Sequence, residues 1–68
     1  MYELDCCGLS CPVPVVKTKR ALAEYPQGLD VLVDNFAAKE NVSRFACAMG
    51  YNVQVKDADG IWTLQIRR

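Results

Sequence analysis

Histidine is missing from all 68 residues, which removes Cys-His nucleophile pairs, Ser-His-Asp triads and Cys/His zinc sites from consideration within one chain. Net charge is missing too. Eight Lys plus Arg balance eight Asp plus Glu, so no global positive field draws in nucleic acid or an anionic membrane. No apolar run approaches the roughly 18 residues of a membrane span, and the opening Met1-Tyr2-Glu3-Leu4-Asp5 is acidic where an export signal would be basic. These features read as a soluble, cytoplasmic chain with no membrane partner and with nucleic acid disfavoured. Length is scarce as well. A chain this short buries only about 60% of its unfolded surface, enough for a single domain over residues 1–68 and for roughly 3–5 kcal/mol of net stability.

What the chain does have is cysteine, at positions 6, 7, 11 and 47. Three of these thiols fall within six residues, where bridges would close tiny loops that constrain the unfolded chain little. Free thiols are the expectation. An all-Cys metal site needs two well-spaced pairs, whereas Cys6 and Cys7 are adjacent, Cys11 follows four residues on and Cys47 stands alone. No metal site and no cofactor are therefore expected.

Hydrophobic periodicity lays out a compact order. Tyr2 to Cys6 alternates and reads as a first strand, which Gly8 breaks. Pro12 suits a helix start, and a helix from about Pro12 to Tyr25 would bury Val15, Thr18, Leu22 and Tyr25 while leaving Lys17, Lys19, Arg20 and Glu24 to solvent. Pro26 and Gly28 stop it. Leu29 to Val33 reads as a covered strand, and Asp34-Asn35 can cap a second helix over roughly Ala37 to Met49, with Ala38, Val42, Phe45 and Met49 as its stripe and Gly50 at its end. Tyr51–Val55 and Ile61–Ile66 alternate on either side of Asp57-Ala58-Asp59-Gly60, a hairpin. The order β-α-β-α-β-β predicts an α+β fold: a two-layer sandwich with a mixed four-stranded sheet and both helices on one face. The polar alternates Glu3, Gln54, Lys56, Thr63, Gln65 and Arg67 fit an open, wetted face.

The chemistry concentrates where the first strand turns into the first helix. Cys11 precedes Pro12 in the N-cap position, where a thiolate can accept a backbone N–H bond. Pro12 and Pro14 have no N–H, so Val13, with Val15 next, is the donor expected to point at sulfur. The positive helix terminus and Lys17 and Lys19 favour the ionised form, and the prolines hold the sulfur on a rigid turn. A modestly acidic, accessible nucleophile is the expectation, set against a plain helix cap flanked by prolines.

The segment Asp5 to Pro14, D-C-C-G-L-S-C-P-V-P, resembles the signature of the TusA/SirA/YedF family of small sulfur-carrier proteins, whose hallmark is Cys-Pro-x-Pro. The likeness continues through Val15, Lys17, Lys19, Ala21 and Leu22, Asp34-Asn35, the helix with Phe45, Gly50-Tyr51 and Gly60-Ile61-Trp62. Residues 34–45 look most like the YedF branch associated with selenium metabolism. The resemblance implies the same sandwich fold and a persulfide on Cys11, with Gly8, Leu9, Pro12, Val13 and Pro14 forming the turn and helix start around it. It also implies partners: a sulfur donor such as a cysteine desulfurase or rhodanese-like protein, and an acceptor in a sulfur relay, with Lys17, Lys19 and Arg20 as candidate docking residues. The chain would be a carrier or sulfurtransferase-like component more than a turnover enzyme. One departure stands out. The family pattern has a basic residue directly before the glycine, and Cys7 stands there.

Cys6 or Cys7 could resolve a persulfide on Cys11 into a disulfide, or could simply pack as small apolar residues. Two other classes compete with the carrier. One is a thiol redox or selenium-handling regulatory module. The other is an RNA- or protein-binding domain, since the fold resembles the C-terminal domain of translation initiation factor three; RNA binding would rely on Lys56, Trp62, Arg67 and Arg68.

Overall fold

The computed structural model describes residues 2–10 and 12–68. Alternation, proline and glycine punctuation produce six elements: β1 (Glu3–Asp5), α1 (Val13–Glu24), β2 (Gly28–Val33), α2 (Phe36–Ala48), β3 (Asn52–Ala58) and β4 (Ile61–Arg67). The sheet order is β1-β2-β4-β3. β1 runs parallel to β2 with Leu4 beside Val31, and β4 is antiparallel to both β2 and β3. The expected mixed sheet is present.

Period-two alternation sorts the strands into two faces. Leu4, Leu29, Val31, Val33, Leu64 and Ile66 point one way and are buried under the helices. Glu3, Asp30, Gln65 and Gln54 lie side by side on the other, open face. There Arg67 Nη2 donates to Asp30 Oδ1 at 2.8 Å, tying β4 to β2.

The helix stripes differ from expectation in a consistent way. α1 buries Pro14, Thr18, Ala21 and Leu22, and α2 buries Ala38, Val42 and Ala46. Thr18, Leu22, Ala38 and Val42 are buried as expected, joined by Pro14, Ala21 and Ala46, while the other expected stripe residues lie further out. Val15 and Phe45 are half-buried, while Tyr25 and Met49 are 42% and 56% exposed. Tyr25 instead stacks on Tyr2, ring centroids 4.5 Å apart. Thr18 is buried because its hydroxyl donates to the Pro14 carbonyl at 2.7 Å.

The hairpin is also tighter than its four turn-forming residues suggested. Asp59 and Gly60 both have positive φ, 53° and 78°, so a two-residue turn joins strands that run on to Ala58 and from Ile61.

Gly28 carries a constraint that the sequence did not advertise. Its φ is +126°, and a Cβ there would collide with the Ile66 carbonyl oxygen of β4. Gly28→Ala is expected to lower stability by about 2–4 kcal/mol through strain and strand separation, read as a fall in urea midpoint; an unchanged midpoint would refute the close approach.

Candidate functional site

The loop from β1 to α1 is held by two carboxylates. β1 ends with the Cys6 N–H donating to the Leu32 carbonyl at 2.8 Å, which completes its pairing with β2. Asp5 Oδ1 then accepts the Cys7 N–H at 2.9 Å, an Asx-type turn in which an aspartate imitates a backbone carbonyl. Asp34 Oδ2 accepts the Gly8 N–H, also at 2.9 Å, from 26 residues away. Gly8 adopts φ +77°, the left-handed region where an L side chain is strained. The Leu9 N–H turns back to the Cys6 carbonyl at 3.4 Å, and the Leu9 side chain packs half-buried against the core.

Cys11 lies outside the described residues, and so does its expected role as N-cap. The structure gives the cap position to Pro12, with φ −98° and ψ 15°, so α1 begins at Val13, not Pro12. Among the described residues no side chain caps it. The Val13 N–H donates to the Ser10 carbonyl at 2.9 Å, and its expected approach to the Cys11 sulfur lies outside the described residues. Ser10, Pro12 and Val13 are exposed, whereas Pro14 is buried and roots the helix start in the core.

Asp34 is the site residue that the sequence reading missed. Asp34-Asn35 looked like a capping pair, and Asn35 does cap α2, its Oδ1 accepting the Ala38 N–H at 2.8 Å. Asp34 faces the other way and clamps the β1–α1 loop. The only signal for this was the parallel pairing of β1 and β2, which sets the ends of both strands side by side.

The neighbouring thiols have separate fates. Cys6 is fully buried on the helix face, and burial pushes its thiol up. Cys7 is half-buried and its thiol is pushed up to about 11, first by burial, then by donating to the Asp5 carboxylate and by the charges of Asp5 and Asp34. The same bonds from Cys7 hold the Asp5 carboxyl below its ordinary range. Cys47 is exposed on α2.

The basic trio is divided. Lys17 and Arg20 flank a shallow depression with Tyr2, Leu4 and Glu24, whereas Lys19 lines a second groove with Phe45, Met49 and Arg68.

The model of the family described as "Sulfurtransferase TusA" matches residues 2–68. The chain belongs to the TusA family. It is 51% identical over 55 residues, 78% of this chain and 73% of the relative, to a candidate sulfur carrier protein of Methanocaldococcus jannaschii. A candidate sulfur carrier protein of Neisseria meningitidis serogroup A is 34% identical over 67 residues, 94% of this chain and 90% of that one. The crystal structure of a SirA-like protein from Desulfitobacterium hafniense superimposes with a TM-score of 0.90 at 37% identity, covering 98% of this chain and 96% of that one. TusA-family membership supports a sulfur-carrier role and, with it, contact with sulfur-relay proteins. Among the described residues no helix is long and apolar enough to cross a membrane.

The Cys7 seat in this TusA-family chain has two measurable consequences. Cys47 should be alkylated by iodoacetamide well before Cys7 and Cys6, with all three reacting alike in urea; rapid native labelling of Cys6 would contradict its burial. The folded protein also holds the Cys7 proton more tightly than an unfolded chain, whose thiol titrates near 9. Cys7 therefore contributes stability below about pH 9 that is lost as pH climbs through about 11. Cys7→Ala should flatten the stability profile across that window.

Proposed function

We propose that this protein carries sulfane sulfur as a persulfide on Cys11. The observation that supports the reading is the exposure of Ser10, Pro12 and Val13, the described neighbours of Cys11, between a loop clamped by Asp5 and Asp34 and a helix rooted by Pro14. A rigid support with open flanks suits a sulfur handed between proteins. In the transfer, the Cys11 thiolate attacks the outer sulfur of a donor persulfide and the donor cysteine leaves as thiolate. An acceptor then attacks the terminal sulfur of Cys11–S–S⁻ and Cys11 leaves as thiolate. Neither step needs an imidazole, in keeping with a chain that has none. A cysteine desulfurase or rhodanese-like protein would be the donor, in the cytoplasm. The likeness of residues 34–45 to the YedF branch extends the proposal to selenium, whose exchange at Cys11 would follow the same two displacements.

The donor and acceptor would meet the α1 face next to the turn. Val13, Val16, Lys17 and Arg20 recur at three- and four-residue steps, and the two valines are 41% and 45% exposed, an apolar strip edged by two cations. Lys19 faces the other groove. The RNA-binding alternative loses support from the sheet: Trp62 lies opposite Val33 on the helix side, and Arg67 is held by Asp30. A redox-module role through Cys6 or Cys7 is disfavoured by the burial and raised thiols of both.

Incubation with a cysteine desulfurase and cysteine should add one sulfur atom to the peptide bearing Cys11, seen by mass spectrometry and lost in Cys11→Ser; sulfur on Cys47 alone would overturn the assignment. Lys17→Glu with Arg20→Glu should slow loading about 10-fold and weaken its salt dependence, as loss of an electrostatic docking contact does, while Lys19→Glu should change it little.

A further inference from the structure

A thiol near a persulfide is a chemical hazard, and this chain places Cys7 four residues from Cys11. That length of chain spans at most about 14 Å, and the Leu9 N–H turns back to the Cys6 carbonyl within it. If the Cys7 thiolate attacks the Cys11 Sγ of Cys11–S–SH, a Cys7–Cys11 disulfide forms and hydrosulfide leaves. The Cys7 sulfur is oxidised, the carried sulfur departs reduced, Cys11 Sγ exchanges one S–S bond for another, and no outside oxidant is required. Such a reaction would discharge the carrier without an acceptor.

The surroundings of Cys7 oppose it. From β1, the Asp5 carboxylate takes both the N–H and the thiol proton of Cys7. From the β2–α2 junction, Asp34 closes on the next residue through the Gly8 N–H. Cys6, the neighbouring thiol, is buried beneath, and burial pushes it up. Lys17 of α1 is the cation on this side, acting on Asp5 and Cys6. We propose that Asp5 and Asp34, closing round the half-buried Cys7, hold it as an inert thiol and so keep the carried sulfur on Cys11. This rests on the persulfide reading of Cys11 above.

Turn closure alone does not require charge. An asparagine oxygen accepts the same N–H bonds, so the amide variants separate a structural clamp from an electrostatic guard. Burial is the larger influence on Cys7 and carboxylate charge adds to it; with its thiol near 11, only about one Cys7 in 10⁴ is ionised at pH 7.

The test begins on unloaded protein. In Asp5→Asn/Asp34→Asn, alkylation of Cys7 at about pH 8 should speed up severalfold, up to about 10-fold, with a midpoint that falls part of the way toward an ordinary thiol. An unchanged midpoint overturns the guard. After sulfur loading, the same variant should lose persulfide faster than the native sequence, with hydrosulfide released and a Cys7–Cys11 disulfide in the mass spectrum, and adding Cys7→Ser should abolish both. A lowered midpoint with an unaltered persulfide lifetime also overturns it. Should the double variant unfold, loaded native protein stepped from about pH 8 to about 11 should release hydrosulfide in proportion to Cys7 ionisation, and Cys7→Ser should not. Release that ignores Cys7 counts against the proposal. If Cys11 takes up no sulfur at all, the carrier reading fails, and the alkylation arm still judges the guard.

Discussion

The bond from the Gly8 N–H to Asp34 joins two parts of the chain 26 residues apart, and it holds the loop between β1 and α1. It exists because β1 lies parallel to β2, so that both strands finish at the same end of the sheet. Parallel neighbours need a crossover, which α1 supplies. The helix start, the loop with its positive-φ glycine and the junction into α2 therefore converge at one edge. Such convergence outside the carboxyl ends of parallel strands is where open α/β sheets build their sites.

A second constraint is the thinness of the core. With so few residues to bury, the helices meet the sheet through Ala21, Leu22, Ala38, Val42 and Ala46, and Pro14 and Thr18 fill the space at the start of α1. This close seating fixes the direction in which α1 leaves the loop. It also leaves Val13 and Val16 outside, where they border the site. Packing economy and an apolar rim beside the turn thus share one cause.

Element order and type were legible because Gly8, Pro12, Pro26, Gly28, Gly50 and Asp59-Gly60 punctuate the chain at nearly every boundary. Side-chain stripes were less so. Tyr25 and Met49 fit a helical period but sit at the last turn, where the sheet no longer lies beneath them. Cys11 stood out from its motif alone, whereas Asp34 could not, since its partner is remote in sequence and local capping offered an adequate explanation. The placement of β4 between β2 and β3 was likewise invisible to periodicity, which records faces and not neighbours.

That placement governs how the domain assembles. β2 cannot find its second neighbour until α2, β3 and the hairpin have come together, and pairings between segments so far apart along a chain form slowly. During that interval the sulfur atoms at 6, 7 and 11 share one open stretch of polypeptide without the burial or the aspartate contacts that later distinguish Cys6 and Cys7. A chain that has not yet folded thus exposes these thiols together, and the folded architecture is what sets Cys6 and Cys7 apart.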